Sequence, residues 1–147
     1  ERMDFIHISE ANRYLRSYQA QVKGMLEHFA ALRAVRGSGI KGASCCAVTL
    51  GGNSPVYGNS QAYQLDKDAA ELGKAHAEVV AFELGSDDVY TLFCELSPCP
   101  ACAQRFAQLP GRIIYMFSYP DEIEAWKAFH RDSLDVQVAR VREAAGL

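Results

Sequence analysis

Two short segments contain side chains whose types and spacing suit metal-assisted hydrolysis. The first is a His-Ala-Glu tripeptide at 76–78, and the second is a Pro-Cys-Pro-Ala-Cys segment at 98–102. Alone, such a tripeptide carries little information, and a Cys-x-x-Cys pair is often structural or redox-active. In this order, with enough chain between them for the rest of one helix and one strand, they predict a catalytic zinc site.

The expected zinc ligands are His76, Cys99 and Cys102. Cysteines three residues apart on one helical turn point the same way, so both sulfurs can reach one ion. A helix N-terminus favours their thiolate forms because its dipole and free amide groups stabilise negative charge. Three protein ligands leave the fourth position of Zn²⁺ to water, whose pKa zinc lowers to about 7. Glu78 is predicted to move the protons as the catalytic acid and base.

The cysteine cluster has two other interpretations. With Cys94 as a fourth ligand the zinc would be structural, although a strand before Cys99 favours burial of Cys94 in the core. A thioredoxin-like redox pair would leave His76 and Glu78 unexplained. The five cysteines are an odd number, which favours a metal site in a reducing compartment over a disulfide framework. The other histidines are interpreted as surface or core residues: His7, His28 and His130.

The N-terminal part of the chain predicts one long amphipathic helix over about 10–35, after an irregular or short extended lead-in at 1–9. Ser9 is the expected N-cap of this helix. The apolar stripe of the helix recurs at steps of three and four: Tyr14, Tyr18, Val22, Met25, Phe29 and Leu32.

Strands and helices alternate in the rest of the chain. Strands are predicted at about 43–50, 56–60, 89–96 and 112–119, the first two as a hairpin. Helices are predicted at about 75–84, 99–109 and 121–130. The segment 134–141 fits a helix as well as a strand, and the prediction is a strand followed by a short terminal helix.

This order predicts an α/β protein with a three-layer α-β-α fold. Strands separated by helices need crossover connections, and these produce a parallel part of the sheet. A mixed sheet of about five strands, flanked by helices, is the simplest arrangement. The 147 residues suit one domain, in which the core occupies about 43–141.

The chain resembles the cytidine deaminase superfamily over roughly residues 43–141. The stretch 90–99, which ends in Ser-Pro-Cys, is similar to the strand-to-zinc segment of APOBEC-type and activation-induced cytidine deaminases. The run 112–121 is similar to their next strand and the following loop, which in the family helps to read the nucleotide beside the target base. The resemblance implies a cytidine-deaminase-like fold. A helix and a strand after that loop, as predicted for 121–141, is the arrangement of nucleic-acid-editing members, whereas free-cytidine deaminases form a hairpin.

The resemblance also implies roles for five residues outside the metal site. Asn59 would contact the target nucleotide, the backbone amide of Ala77 would bond the base carbonyl, and the backbone carbonyl of Ser97 would hold the amine. Tyr119 and Phe117 would stack on a base, a contact worth about 1–3 kcal/mol per base. Two ordinary roles stay open, a turn for Asn59 and the core for Phe117.

The chain departs from the animal enzymes in several places. Glu95 and Leu96 stand before Ser-Pro-Cys where those enzymes carry aromatic residues, and a long helix is not their usual opening. This combination of deaminase motifs with departures from the animal enzymes is similar to the deaminase domains at the C-termini of bacterial polymorphic toxins. A chain that begins at Glu1 is then expected to be a segment of a longer, translocated toxin. The resemblance implies action in the cytoplasm of a rival cell and an immunity protein as partner.

The predicted activity is hydrolysis of the amidine C–N bond of cytosine, giving uracil, in single-stranded nucleic acid, with DNA favoured over RNA. A net charge of −3 argues against a strongly basic duplex-binding domain. A short charged groove for a single strand could still draw on several arginines: Arg13, Arg16, Arg33, Arg36 and Arg112. No apolar stretch approaches the ~18–20 residues of a membrane span, so no membrane partner is expected.

Three alternatives stay open. The first is a deaminase of free nucleosides, nucleotides or bases, and the second is a deaminase of adenine or guanine. The third is a non-catalytic interaction module stabilised by zinc.

Overall fold

A mixed β-sheet with helices forms the part of the chain that the computed structural model describes, residues 4–36, 46–50, 55, 57–59, 91–98, 104 and 111–147. The strands are β1 Asp4–His7, β2 Cys46–Leu50, β3 Tyr57–Asn59, β4 Thr91–Leu96 and β5 Arg112–Phe117. They form one sheet in the order β1-β5-β4-β2-β3. The protein therefore belongs to the α/β class, as predicted.

The central strands β4 and β5 are parallel neighbours, and β1 pairs with β5 in the same direction. The strand β2 runs antiparallel to β4, and β3 runs antiparallel to β2. As a result β1, β3, β4 and β5 all end at the same side of the sheet. We call this side the carboxyl edge, and it is marked by His7, Asn59, Leu96 and Phe117.

Helices cover one face of the sheet. They are α1 Asn12–Leu15, α2 Val22–Arg36, α3 Ile123–Arg131 and α4 Leu134–Ala145. On this face Val48, Phe93 and Ile114 lie side by side in register and are buried. They belong to one apolar cluster with helical residues that include Leu26, Phe29, Trp126, Phe129 and Val141. This cluster holds the helices against the strands that lead to the carboxyl edge.

The prediction of one helix over 10–35 is wrong. Two 3₁₀ segments, Ile8–Glu10 and Arg16–Gln21, separate the short α1 from α2. The second of them has no fully buried residue, and only Tyr18 packs partly against the core, so tertiary packing gives little support to an α-helix there. Its carbonyl at Gln19 instead accepts a hydrogen bond from Arg142 Nη1 at 3.0 Å, which ties the segment to α4.

The first residues contribute more than the expected lead-in. Asp4–His7 forms β1, which pairs in parallel with β5. Ser9 is not the N-cap of a long helix, because it lies inside the first 3₁₀ turn. The cap of that turn is His7, whose Nδ1 accepts a hydrogen bond from the backbone N–H of Ser9 at 3.2 Å.

The strand predicted at 134–141 is also wrong, since this segment lies in α4. Ser133 Oγ accepts a hydrogen bond from Val136 N at the start of α4, and Gly146 ends the helix with a φ of 69°. The buried residues are Gln137, Val141 and Ala145, at helical steps of four. The apparent alternation was misleading because Val136 is 44 % exposed. The neighbouring prediction, a helix over 121–130, is confirmed by α3.

The predicted helices at 75–84 and 99–109 lie outside the described residues. Within the described ranges, no helix is both long and apolar enough to cross a membrane.

Tyr57 in β3 has an environment that predicts a pH effect. Its ring stacks on His28 at 3.7 Å and meets Phe29 edge-on at 5.8 Å. Desolvation by burial raises the pKa of the Tyr57 phenol above its ordinary value of about 10.

A group whose pKa is raised by folding loses its stabilising contribution as the pH rises through the folded-state pKa. The native protein should therefore become less stable from about pH 9 upward, and Tyr57→Phe should reduce the slope of this loss. Urea unfolding midpoints of both proteins, measured across this range, provide the test. Parallel slopes for the two proteins would contradict the prediction.

Candidate active site

The loops after β4 and β5 are joined at the carboxyl edge. The Ser97 N–H donates to the carbonyl of Phe117 at 2.8 Å, and Ser97 Oγ accepts from the Tyr119 N–H at 2.7 Å. One residue after β4 thus fixes the loop after β5 through both its backbone and its side chain. Pro98, the last described residue before Cys99, follows directly. Pro98 therefore lies at this edge as well.

The loop between β5 and α3 is held by its own hydrogen bonds. The Ser118 N–H donates to Glu122 Oε1 at 2.9 Å, and the Glu122 N–H donates to the Ser118 carbonyl at 2.8 Å. Because both ends of the loop are fixed, Tyr119 is displayed on a defined backbone. Its side chain is 42 % exposed.

The two predicted stacking residues differ in their access to solvent. Phe117 is 5 % exposed, and its ring lies 5.5 Å from the ring of Phe129 in the core. This burial favours the role in the core that the sequence left open for Phe117. Tyr119, exposed in the loop after β5, is available to a base.

Asn59 lies at the carboxyl edge as well. It is the last residue of β3 and pairs in register with Cys46, the first residue of β2. The strand β3 is separated from β4 by β2 alone, which places its backbone about 10 Å from that of β4. Asn59, Ser97 and Tyr119 thus share one edge of the sheet.

The residues predicted to bind zinc and move protons lie outside the described residues: His76, Ala77, Glu78, Cys99 and Cys102. Within the described ranges, no three His, Cys, Asp or Glu side chains are grouped as a metal site. The predicted donors, two thiolates and one imidazole, suit Zn²⁺ by their chemistry. Cys94 is fully buried inside β4, where it pairs with Ala47 on one side and Tyr115 on the other.

A buried carboxylate near this edge was not foreseen. Glu95 is 3 % exposed, and its Oε1 accepts a hydrogen bond from the backbone N–H of Cys46 at 2.9 Å. Its Oε2 lies 3.1 Å from His130 Nε2, and the His130 ring meets Trp126 edge-on at 4.5 Å. One carboxylate therefore connects β4 with β2 and α3. The sequence signal was a glutamate within a mostly apolar strand.

Of the arginines proposed for a substrate groove, Arg112 lies far from the carboxyl edge. Arg112 begins β5 at the side opposite the carboxyl edge, and its Nη1 donates to Thr91 Oγ1 at 2.9 Å. Its guanidinium lies 4.2 Å from the centre of the Tyr14 ring, and that of Arg13 lies 4.6 Å from the same ring. Arg112 therefore does not border the candidate site.

Comparison of the chain with protein-family models, with curated proteins and with solved structures gives no match.

Proposed function

We propose that the protein is a zinc-dependent hydrolytic deaminase that converts cytosine to uracil in single-stranded nucleic acid, with DNA as the favoured substrate. One observation carries this proposal. Ser97 and Pro98, which directly precede Cys99, lie at the carboxyl ends of two parallel strands, where Ser97 is hydrogen-bonded to the next loop. In open α/β sheets, ligands bind outside the carboxyl ends of the strands.

A three-layer cytidine-deaminase-like fold is part of the same proposal. Ala47, Leu92, Cys94 and Ile113 are fully buried although they do not belong to the cluster beneath the described helices. Successive strand residues point to opposite faces, so these side chains point to the second face of the sheet. Their burial supports a second layer on that face.

The residues of the two motifs would divide the reaction between them. His76, Cys99 and Cys102 would hold zinc, which supplies an acidified water molecule when it is bound. Glu78 would take a proton from the attacking water and deliver it to the ring nitrogen of cytosine. The water oxygen would bond to C4, and the remaining proton of that oxygen would pass through Glu78 to the amine. The C4–N bond would then break, releasing ammonia and leaving the oxygen as the carbonyl of uracil.

A polynucleotide substrate is supported by Tyr119, which is exposed in the first loop after β5 and offers an aromatic face to an unstacked base. The elements that follow match neither of the two family arrangements. Residues 118–147 form a turn and two helices, whereas free-cytidine deaminases have a hairpin there and nucleic-acid-editing members have a helix and a strand. The strand expected at 134–141 does not flank β5, because β1 pairs with β5 instead.

The resemblance to toxin domains extends the proposal to the biological role of the protein. It implies translocation as part of a longer toxin, action in the cytoplasm and neutralisation by an immunity protein. Copurification with such a partner would test that extension independently of the chemistry.

The deciding experiment measures uracil and ammonia release from cytosine-containing single-stranded DNA. Single-stranded RNA, duplex DNA and free cytidine are tested in parallel. Activity on single-stranded polynucleotides alone is the expected result. Activity on cytidine alone would indicate a nucleoside deaminase instead. A zinc-loaded protein that is inactive on every cytosine substrate would contradict the proposal.

Tyr119→Ala is expected to raise the KM for single-stranded DNA about tenfold and to change the preferred neighbour of the target cytosine. The reason is the loss of base stacking worth about 1–3 kcal/mol. Steady-state kinetics on oligonucleotides with each neighbouring base would show both effects. Tyr119→Phe keeps the ring and serves as the matched control.

Zinc content and unfolding midpoint should not change in the Tyr119 variants, since surface substitutions usually shift stability by no more than about 0.5 kcal/mol. An unaltered context profile in Tyr119→Ala would show that the ring does not read the neighbouring base.

A further inference from the structure

A recess lies on the helix-covered face of the sheet. Its volume is about 210 Å³, and it opens where the start of α2, the end of α4 and strands β2, β3 and β4 meet. The side chains around it include Tyr18, Val22, Met25, Leu50, Tyr57 and Phe93. Leu50 pairs with Thr91, at the opposite end of β4 from Ser97. The recess is thus separate from the carboxyl edge.

The lining of this recess is mostly apolar among the described residues, with Thr49 and Gln21 as polar members. Among the described residues that line it, no side chain carries a charge. Three rings, those of Tyr18, Tyr57 and Phe93, contribute flat surfaces, and Met25 adds a polarizable sulfur that suits contact with an aromatic ligand. Gln21, on the exposed 3₁₀ segment, is a polar group at its border. Such a lining selects an uncharged ligand with a small polar handle.

The walls of the recess are held by contacts outside it. The Tyr57 ring is fixed between His28, on which it stacks, and Phe29, which it meets edge-on. The 3₁₀ segment on the other side is fixed by the hydrogen bond from Arg142 Nη1 to the Gln19 carbonyl. A recess with anchored walls is preformed, and preformation reduces the entropy cost of binding.

The size of the recess indicates the size of its ligand. Apolar protein cavities of about 150 Å³ stay dry and bind benzene. The recess here is larger, at about 210 Å³. By proportion it suits a ligand of about eight to nine non-hydrogen atoms, the size of a small fused bicyclic aromatic.

We infer that this recess is a binding site for a small, uncharged aromatic compound, distinct from the deaminase site. Indole has the required size, flat apolar faces and a single N–H donor. It is therefore the probe for the site. Binding is measured without nucleic acid, so the result does not depend on deaminase activity.

The test is a calorimetric titration of the protein with indole, supported by the ligand-dependent rise in Tm that binding to the native state produces. Saturable binding is expected. Gln21→Trp, which places a bulky ring at the border of the recess, should weaken indole binding about tenfold or more. Gln19→Trp is the matched control, because Gln19 lies on the same exposed segment but does not line the recess. Its indole binding should equal that of the unaltered protein.

A second pair of variants tests the recess from within. Val22→Phe adds volume inside it, whereas Val136→Phe makes the same change on the exposed face of α4. Only the first should abolish indole binding. The inference is overturned if indole does not bind saturably, if Gln21→Trp binds it as well as Gln19→Trp does, or if free cytosine, a polar ring, competes for the site.

Discussion

Glu78→Ala is expected to keep its zinc and its fold while losing deaminase activity by at least about two orders of magnitude. Proton transfer by a positioned side chain contributes about 10²–10⁴-fold to catalysis, and this reaction needs protons moved at two atoms of the substrate. Because Glu78 is not a predicted metal ligand, its removal should leave the metal in place. The change therefore separates proton transfer from metal binding.

The measurements are zinc content by atomic emission, circular dichroism and uracil release from single-stranded DNA. Cys99→Ser is the contrasting variant and should lose zinc, stability and activity together, because metal binding is coupled to folding. Glu83→Ala, in the same predicted helix as Glu78, controls for removal of a carboxylate and should retain activity. Turnover in Glu78→Ala close to that of the unaltered protein would refute the role given to Glu78.

Glu95→Ala is expected to lower the free energy of unfolding by about 3 kcal/mol, the largest stability effect that we predict for a single residue. The carboxylate accepts from the Cys46 N–H and contacts His130 Nε2, so its removal takes a partner from two buried polar groups. Removal of one member of a buried pair costs more than the pair itself contributes, because the other member remains desolvated.

Urea unfolding followed by tryptophan fluorescence is well suited to this test. Trp126 is the only tryptophan in the chain, and its ring contacts His130. Glu95→Gln keeps an oxygen acceptor and should cost less, about 1 kcal/mol. Glu124→Ala on the exposed side of α3 removes a carboxylate whose only described ion pair is with Lys127, and its effect should stay below about 0.5 kcal/mol. Equal losses for Glu95→Ala and Glu124→Ala would contradict the structural role of Glu95.

The strands of the sheet centre could be predicted because their signal is local. β2, β4 and β5 are apolar runs bounded by glycine, proline or polar residues, and all three were expected close to their observed positions. β1 has only four residues, and its pairing with β5 joins positions more than a hundred residues apart. No local sequence pattern predicts which strand pairs with β1 over that distance. For α4, the capping residues Ser133 and Gly146 were a better guide than the partial alternation of valines.

Some parts of the candidate site could likewise be predicted from the sequence, and others could not. Ser97 and Tyr119 were expected at the site only from the resemblance to cytidine deaminases, and in the structure they are in direct contact at one edge. The sequence leaves two roles open for Phe117, because an aromatic residue at the end of a strand suits both a core and a binding surface, and its burial favours the core. The contact between Glu95 and His130 spans 35 residues and depends on how α3 packs on β4, which periodicity does not express.

The pairing of β1 with β5 also has a consequence for the time at which this fold can form. Asn12 Nδ2 donates to the Ala145 carbonyl at 2.8 Å, across 133 residues of sequence. The edge strand β1 likewise pairs with β5, which lies far from it in the chain. Loop-closure entropy opposes such long-range contacts until both partners are present. A ribosome releases the chain from its N-terminus, so β1 stays without its partner until β5 has emerged. The complete sheet consequently assembles only after β5, Arg112–Phe117, has been synthesised.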